Sequence, residues 1–301
     1  MHPFYIERVQ PLLQQGLRQL HRAITWLRPY VHVCHLHRPV DLILLLLPLL
    51  WTVSLSPGAI HYPDVVVLLL AATAMRCAAW VYNDLLDATM LPEAPESFVT
   101  LKLVSRQGGW RLFAGLLAFT ILLLLLLDTV IFLWGSVALG LLLGYPLIKR
   151  RTLLTQAYMG LCFAWMVAMA QVIAPDISAK ALWLLFTATL LWATANTILY
   201  AIPRRGYEER VGIGSLVYLF GDNSGVFVLI LQVFAVISLW FVAKQAALGF
   251  SFSIALLAAL TLLPYQQWLL ARHPGSGATR AYRSNILFGL MILFGLIGER
   301  L

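Results

Sequence analysis

One segment decides the fold of this chain: residues 64–87, which read DVVVLLLAATAMRCAAWVYNDLLD. The segment is apolar apart from a few side chains and is long enough to cross a bilayer as a helix. Asn83, Asp84 and Asp87 follow Arg76 by seven, eight and eleven residues. These separations place the four polar side chains near one stripe of a helix. Because ionisable groups at membrane depth are costly, the stripe predicts a cavity or a substrate site.

The composition indicates that the rest of the chain is also embedded in a membrane. Of its 301 residues, 61% are hydrophobic and 11% are charged, and the mean hydropathy is +0.84. A soluble domain could not bury so much apolar surface, so we expect an all-α polytopic membrane bundle. Nine segments are long enough to span: about 39–56, 64–82, 111–127, 129–148, 156–174, 181–202, 225–243, 246–270 and 285–301.

The positive charges predict the orientation of these spans. With the N-terminus in the cytoplasm, 17 of the 21 Lys and Arg residues fall on that side, five in the N-terminal segment and three in each of four loops. This asymmetry follows the positive-inside rule. Contact with anionic lipid headgroups also accounts for the net charge of +8, so nucleic-acid binding is not needed to explain it.

The N-terminal segment is expected to lie on the membrane surface. It lacks the short apolar core and small-residue cleavage site of a signal peptide. Over residues 9–28, Arg18 and Arg22 lie away from an apolar side of a helix that is formed by Val9, Leu13, Leu17, Leu20, Ile24 and Leu27. This pattern is typical of an interfacial amphipathic helix. We therefore divide the chain into a cytoplasmic segment, 1–38, and a single transmembrane domain, 39–301.

Five stretches together resemble the UbiA superfamily of intramembrane prenyltransferases, most closely its 4-hydroxybenzoate polyprenyltransferase branch. They occur in the family's order and spacing, and the likeness runs almost from end to end. In chain order they are HRPVDLILLLLPLLW (37–51), MRCAAWVYNDLLD (75–87), YPLIKRRTLLTQ (145–156), LWATANTILYAI (191–202) and VGIGSLVYLFG (211–221).

The resemblance implies nine helices around a central cavity and Mg²⁺-dependent transfer of a prenyl group from a diphosphate to an aromatic ring. Negative charge accumulates on the diphosphate as it leaves. Mg²⁺ held by carboxylates, together with Lys and Arg, offsets that charge. In the family, the carboxylates come from two motifs, N-D-x-x-D-x-x-x-D and D-x-x-x-D.

The first motif is incomplete in this chain. Asn83, Asp84 and Asp87 match it, but Leu91 stands where the family has a third Asp. In the loop that follows, Thr100 replaces an expected Arg. Asn83 and Asp87, four residues apart, are the expected metal ligands; the alternative for them is a pair of polar groups at a helix end. Asp84 points off the line that joins them, so it is a weaker candidate that could act from behind the ligands, and it is kept among the catalytic candidates.

The second motif departs further from the family. Arg204 and Glu208 stand where the family has two Asp residues, and Glu209 follows. Thr197 replaces another Asp, and Gly214 replaces a Lys. Glutamate can bind Mg²⁺, and Arg204 could bind phosphate directly. The alternative for this cluster is a solvated ion-pair group formed with neighbouring arginines.

The half of the site that would recognise the acceptor is better preserved. Arg76 stands where the family places a cation for the carboxylate of the aromatic acid, and a guanidinium suits bidentate capture of a benzoate. Tyr145, Lys149 and Arg150 also match the family. The alternatives are a structural Arg76, bonded to helix carbonyls or to a carboxylate, and a positive-inside role for the basic pair.

These arguments yield one set of candidate residues. The catalytic candidates are Arg76, Asp84 and Asp87; the substrate-binding candidates are Arg76, Tyr145, Lys149, Arg150 and Arg204; and the ligands of Mg²⁺, the expected cofactor, are Asn83, Asp87, Glu208 and Glu209.

The function we expect is polyprenyl transfer from a prenyl diphosphate to a small aromatic acid such as 4-hydroxybenzoate, as in quinone biosynthesis. The altered motifs leave two alternatives open. One is a silent relative that binds prenyl lipid or quinone and supports a partner membrane protein. The other is an isoprenoid cyclase. A transporter is less favoured, because interrupted helices in corresponding halves are not evident in the sequence.

Overall fold

The computed structural model describes residue 25 and residues 27–90 and 103–300. Most of the amphipathic helix expected over 9–28 lies outside the described residues, as do Leu91 and Thr100. Every regular element in the described ranges is helical. The main helices are α1 (Val40–Leu55), α2 (Tyr62–Met90), α3 (Arg106–Leu125), α4 (Thr129–Ile148), α5 (Thr155–Ala170), α6 (Ala179–Ala201), α7 (Arg205–Arg210), α8 (Leu216–Phe220), α9 (Ser224–Gln245), α10 (Phe250–Leu260), α11 (Leu262–Arg272) and α12 (Pro274–Gly298).

The apolar helices agree with the nine predicted spans. Eight helical stretches within the described residues are long and apolar enough to cross a membrane, and α1 is a shorter apolar helix of 16 residues. Large apolar side chains such as Trp183, Leu257 and Phe294 point outward and are more than half exposed, as expected for surfaces that face lipid. The all-α class is confirmed, and the protein is an integral, multi-pass membrane protein.

Two predicted spans are shorter than their helices. The span over 64–82 is part of α2, which continues to Met90 through the polar residues Asn83, Asp84 and Asp87. The last helix begins at Pro274 instead of 285, because it continues through a polar segment that contains Arg280 and Arg283. Hydropathy marks only the apolar part of such a helix. The predicted span over 246–270 agrees with one apolar stretch, Phe250–Arg272, in which α10 and α11 meet at Thr261.

Short polar residues begin several of the helices. Ser105 accepts a hydrogen bond from Gly108 N at the start of α3. Asp128 accepts one from Val130 N at 2.7 Å, at the start of α4. These side chains satisfy backbone donors that have no partner within the helix. They allow tight turns between successive spans.

The helices enclose a central space. Helix α12 packs against α1, α6, α10 and α11, helix α6 packs against α5 and α9, and α2 packs against α3 and α4. The Trp51 ring of α1 is tilted against the Trp192 ring of α6, with ring centroids 5.0 Å apart. Trp192 in turn lies 6.0 Å from Phe288 of α12. These buried aromatic rings join the three helices.

The residues just before α1 pack on α2. Val33 and Cys34 are buried in a small apolar cluster with Cys77, Val81 and Leu85. This contact brings the backbone before α1 against the polar stripe of α2. The proposed boundary between 38 and 39 stays a prediction.

Candidate functional site

A cavity of about 390 Å³ lies inside the bundle. Its wall includes residues from α1, α2, α4, α5, α6, α7 and α12. Eight of the predicted site residues line it: Arg76, Asn83, Asp84, Asp87, Tyr145, Lys149, Arg204 and Glu208.

Helix α2 supplies the polar stripe expected from the sequence. Arg76, Asn83, Asp84 and Asp87 all line the cavity, and each is buried. Trp80, which also lines the cavity, lies between them along the helix. One face of the helix carries these side chains, because successive members are three or four residues apart. In chain order they are Arg76, Trp80, Asp84 and Asp87.

At one end of the stripe, Asp87 is bound by two cations. Lys149 Nζ lies 2.6 Å from Asp87 Oδ2, and Arg150 Nη2 lies 2.8 Å from Asp87 Oδ1. Lys149 also donates to Asn83 Oδ1 at 2.8 Å, and Asn83 Nδ2 lies 3.2 Å from Asp87 Oδ2. Burial lowers the pKa of Lys149, while the Asp87 carboxylate opposes that shift. Arg150 joins the site through its contact with Asp87.

The residues of the second motif are divided by the fold. The Arg204 guanidinium lies 4.2 Å from the centroid of the Tyr200 ring, and both residues line the cavity. Glu208 lines it as well, and its buried Oε2 has no hydrogen-bond partner in the described part of the chain. Glu209 is exposed and does not border the cavity. The structure therefore does not bring Glu209 to the other candidate ligands, because neighbouring positions on α7 face different directions.

At the other end, Arg76 is held by contacts that the sequence did not reveal. Its Nη1 donates to the Cys34 carbonyl at 2.9 Å, and its Nη2 lies 3.4 Å from Asp41 Oδ2. Tyr282 of α12 donates a hydrogen bond to Asp41 Oδ1. A carbonyl and a carboxylate are the partners expected if Arg76 has a structural role, and both are present. Arg76 also lines the cavity, where a substrate can reach it.

Sequence reasoning also missed His35. Its Nε2 lies 3.1 Å from Asp84 Oδ2, and both side chains are buried at the cavity wall. The imidazole stacks on Trp80 with centroids 4.6 Å apart, and Trp80 lies 5.5 Å from the Arg76 guanidinium. His35 has a φ of 54°, which is uncommon for a residue other than glycine. The available signals were the polar residues directly before the first span for His35, and an isolated carboxylate at the start of that span for Asp41.

Two departures from the family pattern have structural explanations. Gly214 N donates to the Lys149 carbonyl at 2.7 Å, and a Cβ at position 214 would lie 2.0 Å from the Thr152 carbonyl oxygen. The backbone contact therefore excludes a larger residue. Thr197 faces the cavity wall, but its hydroxyl donates to backbone carbonyls, among them that of Ala193 at 3.0 Å.

The carboxylates present fit an ion that arrives with a phosphate ligand. The described residues contain no group of three His, Cys, Asp or Glu side chains suited to hold a metal by themselves. Mg²⁺ commonly uses only one or two carboxylates together with substrate phosphates. Asp87 and Glu208 line the same cavity, and Glu208 Oε2 has no described partner, so these two meet that need.

The chain is similar to known proteins over most of its length. The pattern of the UbiA prenyltransferase family matches residues 45–292. The 4-hydroxybenzoate octaprenyltransferase of Saccharophagus degradans is 30% identical over 279 residues, which cover 90% of this chain and 92% of that protein. The 4-hydroxybenzoate octaprenyltransferase of Nitrosococcus oceani is 33% identical over 273 residues, covering 89% and 95%.

Solved structures share the fold. A UbiA homolog from Aeropyrum pernix aligns with a TM-score of 0.74 at 21% identity, covering 87% of this chain and 99% of that one. A UbiA homolog from Archaeoglobus fulgidus bound to GPP and Mg²⁺ aligns with a TM-score of 0.68 at 16% identity, covering 90% and 99%. From the family match and these relatives, we conclude that the chain belongs to the UbiA prenyltransferase family.

Proposed function

We propose that this protein transfers a polyprenyl group from a prenyl diphosphate to the ring of a small aromatic acid such as 4-hydroxybenzoate, a reaction of quinone biosynthesis. The observation that carries the proposal is one cavity with a buried guanidinium at one end and a set of cations at the other. The relatives named 4-hydroxybenzoate octaprenyltransferase support this choice of acceptor.

The residues divide into two groups along the cavity. Arg76 orients the acceptor through its carboxylate, since a buried guanidinium binds a carboxylate strongly. Lys149 and Arg150 at the Asp87 end, together with Arg204 on the Tyr200 ring, offset the charge that develops on the diphosphate as the bond to the allylic carbon breaks. The Lys149 ammonium lies 5.7 Å from the centroid of the Tyr145 ring, and Tyr145 forms part of the cavity wall. Asp84, paired with His35, lies between the two groups.

Mg²⁺ would be held by Asp87, Asn83 and Glu208, and when bound it neutralises the diphosphate. Asp87 has both oxygens in contact with cations in the structure. We therefore expect diphosphate binding to draw Lys149 and Arg150 toward the phosphate oxygens and to free the carboxylate. Lys149 and Arg150 would then exchange the Asp87 carboxylate for the phosphate oxygens as their anionic partner.

The test is turnover by the purified protein in lipid with geranyl diphosphate and 4-hydroxybenzoate, with and without Mg²⁺. We expect a prenylated acid that requires Mg²⁺ and is lost in Arg76→Ala. Arg111→Ala is the matched control, because Arg111 is an exposed arginine on α3, away from the cavity. If the purified protein consumes geranyl diphosphate neither with nor without Mg²⁺, the proposal is overturned.

A second candidate is a prenyl-lipid binding protein without turnover, which would support a partner membrane protein. The observation that favours it is the Asp87 carboxylate, whose oxygens are both paired with cations. This candidate predicts that the protein binds prenyl diphosphate equally well with EDTA and with Mg²⁺ and releases no diphosphate.

We also propose that the N-terminus and the cationic end of the cavity face the cytoplasm, and that the protein resides in a bacterial inner membrane. The distribution of Lys and Arg supports this orientation. Arg151→Cys and Lys180→Cys test it, because the two positions precede and follow the same span. In intact cells a membrane-impermeant thiol reagent should label position 180 but not 151, and the reverse result would contradict the assignment.

A further inference from the structure

Asp41 occupies an unexpected position for a protein that binds an aromatic acid. It comes from the first turn of α1, and its Oδ2 lies 3.4 Å from Arg76 Nη2 of α2. Its other oxygen accepts a hydrogen bond from Tyr282 of α12. All three residues line the cavity. The cation proposed to receive the acceptor carboxylate therefore already has a carboxylate beside it.

The guanidinium is only partly committed to these contacts. Nη1 is held by the Cys34 carbonyl at 2.9 Å, whereas the 3.4 Å contact to Asp41 lies at the long limit of hydrogen bonding. Nε is buried and has no hydrogen-bond partner in the described part of the chain. Of the three guanidinium nitrogens, Nη1 is therefore held by a carbonyl, Nη2 has a long contact to Asp41, and Nε has no hydrogen-bond partner among the described residues. An incoming carboxylate could bind Nε and displace Asp41 from Nη2, which is the bidentate arrangement that arginine favours.

We propose that Asp41 is a specificity-determining residue that competes with the acceptor carboxylate for Arg76, and that the Tyr282 hydroxyl holds Asp41 at its long distance from Arg76. This inference rests on the proposed function and deepens it. Two anions near one cation repel each other, and the repulsion is strong in a buried site. Asp41 therefore weakens the binding of benzoate anions relative to neutral phenols of the same shape, such as 4-hydroxybenzamide.

The inference predicts opposite effects for two conservative substitutions. Asp41→Asn removes the competing charge and should lower KM for 4-hydroxybenzoate about five- to ten-fold, in the range of a close charge pair. In the structure Tyr282 binds Asp41 while Asp41 Oδ2 stands 3.4 Å from Arg76 Nη2. Tyr282→Phe removes this restraint, so Asp41 can approach Arg76 more closely and KM for the same acceptor should rise. Neither change should alter KM for 4-hydroxybenzamide more than about two-fold, because this neutral acceptor does not compete with Asp41 for the Arg76 guanidinium. The kinetics would be measured in lipid with geranyl diphosphate and both acceptors.

A binding measurement keeps this test independent of turnover. The Kd of each acceptor would be determined by calorimetry in the presence of a non-hydrolysable geranyl thiodiphosphate. Asp64→Asn is the control, because Asp64 lies near the start of α2 and does not line the cavity. Thermal unfolding of each variant would check that it is folded.

The outcomes separate this inference from the proposed function. A rise in KM and Kd for 4-hydroxybenzoate in Asp41→Asn would overturn the inference, because it would mean that Asp41 only positions Arg76. Equal changes for both acceptors would also overturn it. If the unmodified protein binds both acceptors but forms no product, the proposed function fails, and the ratio of the two Kd values still decides the role of Asp41.

Discussion

Lys149 and Asp87 form a buried ion pair, with Nζ 2.6 Å from Oδ2 and both side chains less than a tenth exposed. Lys149 lies at the end of α4 and Asp87 near the end of α2. The pair therefore connects the two helices at the polar end of the cavity. Arg150 binds the second oxygen of the same carboxylate at 2.8 Å, so one acid balances two cations.

Replacing Asp87 should affect both stability and activity. Asp87→Ala leaves two cations without their shared carboxylate, and loss of one partner of a buried pair costs about 3–5 kcal/mol in the free energy of unfolding. We expect a clearly lower thermal midpoint in detergent and no prenyl transfer. The matched control is Asp222→Ala, which removes an exposed pair with Arg205 at 3.2 Å. No measurable change is expected there, and a similar loss in both variants would contradict the argument.

The contact between Gly214 and the loop after α4 predicts a second sensitive position. In Gly214→Ala the new Cβ would lie 2.0 Å from the Thr152 carbonyl oxygen, a backbone atom that cannot move alone. The loop that begins at Lys149 must shift, which should cost about 1–3 kcal/mol in the free energy of unfolding and reduce diphosphate binding. Thermal unfolding and binding of geranyl thiodiphosphate measure the two effects.

Gly206 provides the control for that substitution. A Cβ at position 206 would meet no atom within 4 Å, and alanine favours a helix more than glycine does. Gly206→Ala should therefore match or slightly exceed the unmodified protein in thermal stability. If Gly214→Ala were equally harmless, the close approach would have no energetic consequence.

The pair between His35 and Asp84 predicts a graded loss of stability. His35→Ala removes the imidazole from a buried carboxylate, at a cost of about 1–3 kcal/mol in the free energy of unfolding. His35→Gln can still donate to Asp84 from its amide, so it should retain part of that stability. Thermal midpoints should decrease in the order unmodified protein, Gln variant, Ala variant. Equal midpoints for the two variants would show that the hydrogen bond contributes nothing.

A carboxylate at the end of the chain predicts a pH effect. Glu299 accepts hydrogen bonds from Phe252 N at 2.8 Å and Gly249 N at 2.6 Å, and these bonds lower its pKa below the usual value. Because the folded-state pKa is the lower one, the stabilisation is present above the unfolded pKa and is lost as pH falls through the folded pKa.

The variant Glu299→Gln tests the direction of this pH dependence of stability. Near neutral pH it should have a lower thermal midpoint than the unmodified protein, because the charged oxygens that bind the start of α10 are gone. The difference should shrink as the pH is lowered into the range where carboxylates protonate. A difference that stays constant with pH would mean that the carboxylate charge has no part in it.

Much of the architecture follows from the sequence because the bilayer imposes simple rules. Apolar runs of sufficient length must form helices there, since backbone groups in lipid need internal partners. For that reason the positions of α2, α4 and α6 agree with their predicted spans to within a few residues, except at polar helix ends such as the C-terminal end of α2. The start of α12 was missed because its first turns are polar.

The candidate site was predictable where its residues share one helix. Arg76, Asn83, Asp84 and Asp87 lie on one stripe of α2, and helical spacing alone places them together. The exclusion of Glu209 from the cavity depends on the direction that each residue of α7 faces. That direction is set by how the short helix packs against its neighbours.

By itself, the sequence determined the membrane-embedded helical class, the family and the stripe of α2, because each depends on local composition or on spacing along one element. Only the tertiary structure decided the partners of that stripe: Asp41 and Tyr282 at Arg76, His35 at Asp84, and Lys149 and Arg150 at Asp87. Tyr282 and Asp41 are 241 positions apart in the chain. Such contacts arise from the packing of distant helices around the cavity, which no local pattern specifies.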